Sequence, residues 1–331
     1  MRYKNWLITG GAGFIGVNLI ERILRIAPQA NIRVLDNLSV GTEEDLRGVC
    51  KFRKVKSDEI KGGSVGVELM VGDIKDYGTA FAVSKGIDIV IHLAANTGVA
   101  PSVDDPRADM ETNIIGTFNM LESAKQNGIT KFIFASSGAP LGEVDPPIHE
   151  GKVPKPVSPY GASKLAGEGY CCAYFRTFGL KTVSLRFGNV YGPRSKHKSS
   201  VVAKFFKSAL KGEPLEIYGD GNQTRDFIFI DDLVRAVLLA AASEVGGEVF
   251  QIATYKETTV NEIAEKIKDI VERRTGIIAR IVYGQCRAGD VRRNYSDISK
   301  AEKMLGFKPL YDLEAGIEKT FDYFLNGTGK E

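Results

Sequence analysis

Tyr160 and Lys164 stand four positions apart in the run Tyr160-Gly161-Ala162-Ser163-Lys164. Side chains at that spacing lie on one face of a helix. A free phenol titrates near ~10 and is a poor base at neutral pH. An adjacent ammonium favours the phenolate, so the pair predicts a tyrosine of lowered pKa that can take a proton from a hydroxyl group and return it. Ser136 and Ser137 follow an apolar run at 132–135, and a hydroxyl there could share a short hydrogen bond with the oxygen that Tyr160 deprotonates. Both signals have plainer readings: Tyr-x-x-x-Lys occurs on ordinary surface helices, and serines commonly cap strand ends.

The surrounding elements must bring these groups together. Short apolar runs at 6–9, 32–35, 68–71, 89–93, 132–135 and 182–186 alternate with helical patterns at 15–26, 110–126 and 163–178. That alternation predicts an α/β fold built on a doubly wound parallel sheet of the Rossmann type, with strands covered on both faces. Ligands of such sheets gather at the carboxyl ends of the strands, where Ser137 falls. Gly10-Gly11-Ala12-Gly13-Phe14-Ile15-Gly16 links the first strand to the first helix. Glycines so spaced permit a tight turn, close approach to a pyrophosphate, and packing of helix on sheet, while the helix offers unpaired N–H groups to the phosphates. The triplet alone is a weak sign. Asp36 strengthens it, ending the second strand 20 residues beyond Gly16. A carboxylate there accepts hydrogen bonds from the adenosine ribose and repels the extra phosphate of NADP, so NAD is the expected cofactor. Asp73, after the third strand, could receive the adenine amino group, although it also reads as a turn residue.

The stretch 47–66 is basic, lacks periodicity and predicts an extended surface connection. Beyond Asn189 the pattern breaks into helices at 201–211, 231–242 and 260–273 and strands at 215–218 and 248–252, with aspartate capping the second helix. The expected division is an NAD-binding domain over 1–188 plus about 226–254, and a smaller C-terminal α/β domain over 189–225 and 255–331.

Composition narrows the partners. Among 331 residues, 44 basic and 41 acidic side chains are interspersed, giving a net charge of only +3. This places no demand on nucleic acid or a membrane surface. No apolar run is long enough to span a bilayer, and the N-terminal residues lack the apolar core of a signal peptide. Cys50, Cys171, Cys172 and Cys286 contain no Cys-x-x-Cys pair, which suits a reduced, cytoplasmic setting. His92, His149 and His197 are too scattered to predict a metal site. His92 and Trp6 read as core residues, and Cys171 and Cys172 as packing residues.

The order of these motifs resembles the extended short-chain dehydrogenase/reductase superfamily. The order is glycine loop, Asp36, Asp73, His92-Leu93-Ala94-Ala95, Ser137, Tyr160 and Lys164. Within the superfamily the chain is similar to the NAD-dependent nucleotide-sugar epimerases and dehydratases, nearest to the UDP-glucose 4-epimerase branch, over residues 4–325. The resemblance implies Ser137, Tyr160 and Lys164 as catalytic hydroxyl, base and lysine. It implies cofactor contacts at Gly10, Gly13, Phe14, Ile15, Gly16, Asp36, Asn37, Ser39, Asp73, Ile74, Leu93, Ala94, Ala95, Thr97 and Asn113, besides Tyr160 and Lys164. Asn113 would support the active-site backbone. Substrate contacts are implied at Ser137, Asn189, Tyr218, Arg225, Arg287 and Asn294, with the two arginines on a diphosphate, Tyr218 on a uracil, and Asn294 limiting pocket size. Asp231 and Asp232 match a structural turn into a helix. The implied partner is a nucleotide sugar, and the implied assembly a homodimer through helices 110–126 and 163–178.

The implied activity is epimerisation at carbon 4 of UDP-glucose or UDP-galactose, or of an N-acetylated or uronic analogue, through a transient 4-keto sugar. A decarboxylase, 4,6-dehydratase or reductase on the same scaffold is the alternative; a non-catalytic NAD-responsive protein is a distant one. The loop Ser137-Gly138-Ala139-Pro140-Leu141-Gly142 carries no carboxylate before Glu143, which favours simple epimerisation. It also departs from the family, which usually has Val-Tyr-Gly where this chain has Pro140-Leu141-Gly142.

Overall fold

A computed structural model of the chain describes residues 2–286 and 291–327. Among these, eight parallel strands form one sheet. Their spatial order is Glu248–Ile252, Lys181–Phe187, Lys131–Ser137, Ile89–His92, Asn5–Thr9, Asn31–Asp36, Val67–Val71 and Arg53–Lys54. From the central Asn5–Thr9 the chain winds outward in one direction, then crosses back to Ile89–His92 and winds outward in the other. Strand alternation divides the core between the two faces. Trp6, Ile8, Ile32, Val34, Ile89, Ile91 and Ile133 pack on one side. Leu7, Leu35, Val90, Phe132 and Phe134 pack on the other. The first cluster continues without a break into the later segments, through Phe206, Phe229, Ile267 and Phe321.

Beyond the main sheet, Asn189–Tyr191 pairs with Phe227–Phe229, and Leu215–Tyr218 with Ile281–Gly284, both in parallel. Thr224–Arg225 runs antiparallel to Thr258–Thr259. Helices Val201–Ala209, Val260–Thr275 and Leu313–Gly327 pack around these pieces.

Three expectations are corrected. The 47–66 connection is not wholly extended: Arg53–Lys54 forms the edge strand of the main sheet and Ser57–Glu59 a single 3₁₀ turn. Its anchor is Arg33, only 1% exposed. Arg33 donates to Glu68 at 3.0 Å and to the carbonyls of Val83, Lys85 and Gly62 at 2.8 to 3.0 Å. The helix carrying Tyr160 and Lys164 spans Pro159–Phe178, four residues earlier than its apolar pattern suggests, because Ser158 caps it and Pro159 occupies the first turn. Finally, Asp231 and Asp232 do not cap helix Ile230–Ala242, whose N-cap Phe229 makes no side-chain cap bond. Asp232 instead accepts from the N–H groups of Leu310 and Tyr311 at 2.9 Å, tying a distant loop to the helix.

Candidate active site

The sheet order reverses between Asn5–Thr9 and Ile89–His92. Ligands of doubly wound sheets bind at the carboxyl ends of such a pair. Gly10 turns there with φ 69°, and a Cβ on it would lie 2.7 Å from the Ala94 nitrogen, so only glycine fits against the 93–97 segment. Helix Phe14–Ile26 then begins at Gly13 with no side-chain cap and no acid in its first turn. Its leading N–H groups are left for an anion. Gly16 lies close under the turn; a Cβ there would come within 2.5 Å of the Gly11 Cα.

Asp36 is buried at the end of its strand. One carboxylate oxygen accepts from Ala12 N and the other from Leu38 N, each at 2.9 Å. Burial raises its pKa, opposed by those two bonds. Each oxygen keeps a lone pair for a ribose hydroxyl. Asn37 donates to Asp73 at 3.2 Å and accepts from Ser39 N at 3.1 Å, forming an exposed edge beside Asp36. Ile74 is buried against Gly116. The bare helix start, the backbone approach at Gly10 and the free lone pairs of Asp36 all fit a dinucleotide.

On the other side of the reversal, His92 is fully buried and bridges Thr9 (2.7 Å) and Thr117 (3.1 Å). Burial pushes its pKa down to about 3, helped by the Lys164 charge, so it is a neutral core residue. Leu93, Ala94 and Ala95 are half-buried and Thr97 is exposed. Asn113 lies on a π-helical turn, Glu111–Ile115. Such turns break the usual helical register and are frequent at functional sites. Its amide clamps Asn96 from both sides, accepting from Asn96 N at 2.8 Å and donating to Asn96 O at 2.9 Å.

Tyr160, Ser137 and Lys164 meet at the end of strand Lys131–Ser137. The Ser137 hydroxyl accepts from the Ala139 N–H at 3.2 Å, and its effect on Tyr160 is to favour the phenolate. Lys164, 3% exposed, donates to Ala135 O at 2.9 Å and lies 5.9 Å from the Tyr160 ring centroid. In the cofactor-free chain, burial works against the expected acidification of the phenol. Burial pushes Tyr160 up to about 12, opposed by the Ser137 hydroxyl and reinforced by the Asp109 carboxylate. Burial also drives Lys164 down to about 8, with Asp109 opposing. Burial dominates the Tyr160 shift, so the phenol of the cofactor-free chain holds its proton.

The sequence model of the NAD dependent epimerase/dehydratase family matches residues 6–253. A UDP-glucose 4-epimerase of Mycolicibacterium smegmatis is 35% identical over 327 residues, covering 97% of this chain and 98% of that protein. The crystal structure of a Thermotoga maritima UDP-glucose 4-epimerase with UDP-glucose superposes with a TM-score of 0.87 at 37% identity, covering 98% of this chain and 99% of that one. A Thermus thermophilus UDP-glucose 4-epimerase with NAD gives a TM-score of 0.83 at 33% identity, covering 97% and 98%.

The chain belongs to the NAD-dependent epimerase/dehydratase family. NAD is its cofactor, and the crevice beside Gly10 has the groups to hold it.

Family membership also frames the C-terminal half. Asn189 is exposed at the start of its strand. Tyr218 is half-buried; its hydroxyl accepts from Lys204 at 3.1 Å and its ring lies under that ammonium. Arg225 donates to the carbonyls of Thr224 and Val291 at 2.6 and 2.7 Å. Asn294 is half-buried, its N–H on the Thr224 hydroxyl at 3.3 Å. Arg287 lies outside the described residues.

Several supporting residues escape sequence reasoning. Ser102 accepts from the Tyr160 N–H at 3.1 Å. Glu168 is buried, accepting from Ser136 at 2.6 Å and pairing with Arg186 at 2.7 and 2.8 Å. Asp109 is 1% exposed and accepts from Asn113 at 2.9 Å. Its position four residues before Asn113 on one helix is the signal that could have exposed it.

Proposed function

We propose that the protein is a UDP-hexose 4-epimerase that interconverts UDP-glucose and UDP-galactose or their N-acetylated or uronic analogues. The reading rests above all on Ser137, Tyr160 and Lys164 converging beside a dinucleotide crevice, in a loop without a second acid. Residues 137–142 carry no carboxylate, and Glu143 is exposed. A dehydratase or decarboxylase would need such an added acid or base at the sugar.

Gly10, Gly13, Phe14, Ile15 and Gly16 hold the pyrophosphate, Asp36 the ribose, and Asn37, Ser39, Asp73 and Ile74 the adenine end. Leu93, Ala94, Ala95 and Thr97, braced by Asn113, line the nicotinamide end. Bound NAD would supply reversible hydride acceptance at the sugar's carbon 4, the hydride returning to the opposite face of the keto sugar. Tyr160 removes the proton from the 4-hydroxyl and gives it back, Ser137 holds that oxygen, and Lys164 keeps positive charge near the phenol. Asn189, Arg225 and Arg287 secure the diphosphate, Tyr218 the base, and Asn294 borders the sugar. We assign residues 1–188 and 226–254 to the cofactor and 189–225 and 255–331 to the substrate.

We further assign the protein to the cytoplasm as a homodimer. Met110, Ile115, Phe118, Tyr170 and Phe178 are exposed on the helices around Asn113 and Tyr160, and Phe118 meets Tyr170 edge to face at 5.7 Å. Light scattering tests the dimer. The activity is tested by NMR of UDP-galactose in deuterated water without added cofactor. UDP-glucose forming with its carbon-bound hydrogens intact is the expected result. Deuterium at carbon 5, or carbon dioxide released from UDP-glucuronate, would instead assign the dehydratase or the decarboxylase reaction.

A further inference from the structure

Asp109 is the buried acid of this region that the proposed chemistry leaves unused. It lies on the short helix Pro106–Met110, which packs on the helix carrying Tyr160 and Lys164. The residue is 1% exposed. One carboxylate oxygen accepts from the Asn113 amide at 2.9 Å; the other is buried and meets no donor among the described residues. The same Asn113 amide donates to Ser163 Oγ, next to Lys164 in the chain, at 3.2 Å. Asn113 thus joins the carboxylate to the helix that bears the lysine.

Hydrogen bonding does not explain why this residue is an acid. An asparagine oxygen would accept from Asn113 equally well and at a lower cost of burial. Nor does Asn113 need Asp109 to set its amide, since Asn96 already donates to its Oδ1 at 2.8 Å and accepts from its Nδ2 at 2.9 Å. What an aspartate adds is charge. The Lys164 ammonium is the cation that lacks one. It donates to Ala135 O at 2.9 Å, lies 4.9 Å from the Phe134 ring centroid, and forms no direct ion pair among the described residues. The other titratable groups around it offer little. On its own helix, Tyr160 holds its proton and burial keeps Cys171 a thiol, pushed up to about 12. Glu168 is committed to Arg186 of strand Lys181–Phe187 at 2.7 and 2.8 Å and to Ser136 at 2.6 Å. On strand Ile89–His92, His92 is neutral. The Asp109 charge favours the ammonium and opposes the phenolate.

We propose that Asp109 is a positioning residue whose bare carboxylate oxygen supplies the buried counter-charge that keeps Lys164 an ammonium beside Tyr160. A buried anion and a buried cation, each short of partners, lower one another's cost. Because Asn113 holds the carboxylate out of direct contact, the attraction leaves the remaining ammonium N–H groups open to a ligand. The purpose of that ammonium in proton transfer rests on the proposed epimerase activity; the charge relation does not.

The test is the titration of Lys164 in the full-length, cofactor-free chain, by NMR of isotope-labelled lysine with the signal assigned through Lys164→Met. The parent midpoint is about 8. Asp109→Asn keeps an acceptor for Asn113 and removes the charge. It should lower the Lys164 midpoint by about 1 unit, which is about tenfold less ammonium on the alkaline side. Asp109→Glu, which keeps the charge, should stay within about half a unit of the parent. A merely structural role predicts the opposite sign, because loosened packing admits water and lets the lysine rise toward its ordinary value of about 10.4. A Lys164 midpoint unchanged or raised in folded Asp109→Asn would overturn the proposal. Melting temperatures check the fold, and Asp109→Ser takes the place of the asparagine variant if that one does not fold. In turnover, the alkaline limb of kcat should move to lower pH with the lysine. A protein whose Lys164 midpoint falls as expected but which epimerises nothing would sink the activity and leave this inference standing.

Discussion

The protonation state of Tyr160 is the most exposed consequence of the site. The cofactor-free phenol is held at about 12 and the neighbouring ammonium at about 8. At about pH 8 the phenol is then about four units below its midpoint. Roughly one molecule in 10⁴ carries phenolate, and ionising it costs about 5 kcal/mol at ~1.36 kcal/mol per unit. Raising the pH does not rescue the base, since Lys164 loses its proton first and takes the favourable charge with it. A bound nicotinamide cation should supply the missing attraction, and a positive charge at close range lowers such a value by about 1–3 units. The assay is ultraviolet titration of tyrosinate, recorded as the difference between the parent and Tyr160→Phe. Cofactor-stripped protein should show no Tyr160 signal below about pH 10, and NAD-loaded protein a midpoint lower by about 1–3 units. In turnover, Tyr160→Phe should lower kcat by about 10²- to 10⁴-fold. A midpoint near neutrality without cofactor would refute the dominance of desolvation over the lysine's attraction. Near-normal kcat in Tyr160→Phe would remove the phenol from the chemistry altogether.

Gly10→Ala puts a Cβ 2.7 Å from the Ala94 nitrogen at a φ of 69°. It should cost about 1–3 kcal/mol and empty the protein of NAD, read as melting temperature and bound-cofactor absorbance. Arg186→Met strands the buried Glu168 carboxylate and should cost about 3–5 kcal/mol in chemical denaturation, while Arg186→Met with Glu168→Gln should recover much of the loss. A double variant no better than the single would mean that the pair is not the source. His92 is held down to about 3, against about 6.5 when unfolded. Its stabilising contribution is therefore present above about pH 6.5 and is lost as pH falls toward about 3. Between about pH 7 and 4.5 the parent should lose about 2–3 kcal/mol more than His92→Asn in denaturant melts. Leu141 is fully buried, so Leu141→Tyr should overpack by about 1–3 kcal/mol rather than restore a phenol at the sugar. Higher stability, or a tighter UDP-glucose KM, in that variant would show the reverse.

What the sequence disclosed is what fits inside one strand–turn–helix unit. Gly10, Gly16 and Asp36 are legible because close backbone approach and a strand-ending carboxylate impose residue types at fixed spacing. The strands surfaced for the same reason: burial on both faces demands continuous apolar runs. Contacts between distant segments left no such trace. Asp232 looks like a cap beside its own helix, yet its partners at Leu310 and Tyr311 lie 78 and 79 residues away. Arg53–Lys54 has no strand pattern because an edge pair needs only one neighbour, and Arg33 holds the adjoining loop at Gly62 O.

The sign of the Tyr160 shift was lost for a related reason. Spacing reveals that a lysine is near, but not how much water the fold removes. Desolvation opposes charge on both partners at once: it raises the phenol and lowers the ammonium. A buried Tyr–Lys pair is then an acid/base in waiting. Its activity is conditional on a third charge, and the crevice beside Gly10 is the place from which that charge can come. On the proposed reading this conditionality would also protect the site, because a phenol that ionises only beside bound cofactor would not strip protons from a sugar that has nowhere to send its hydride.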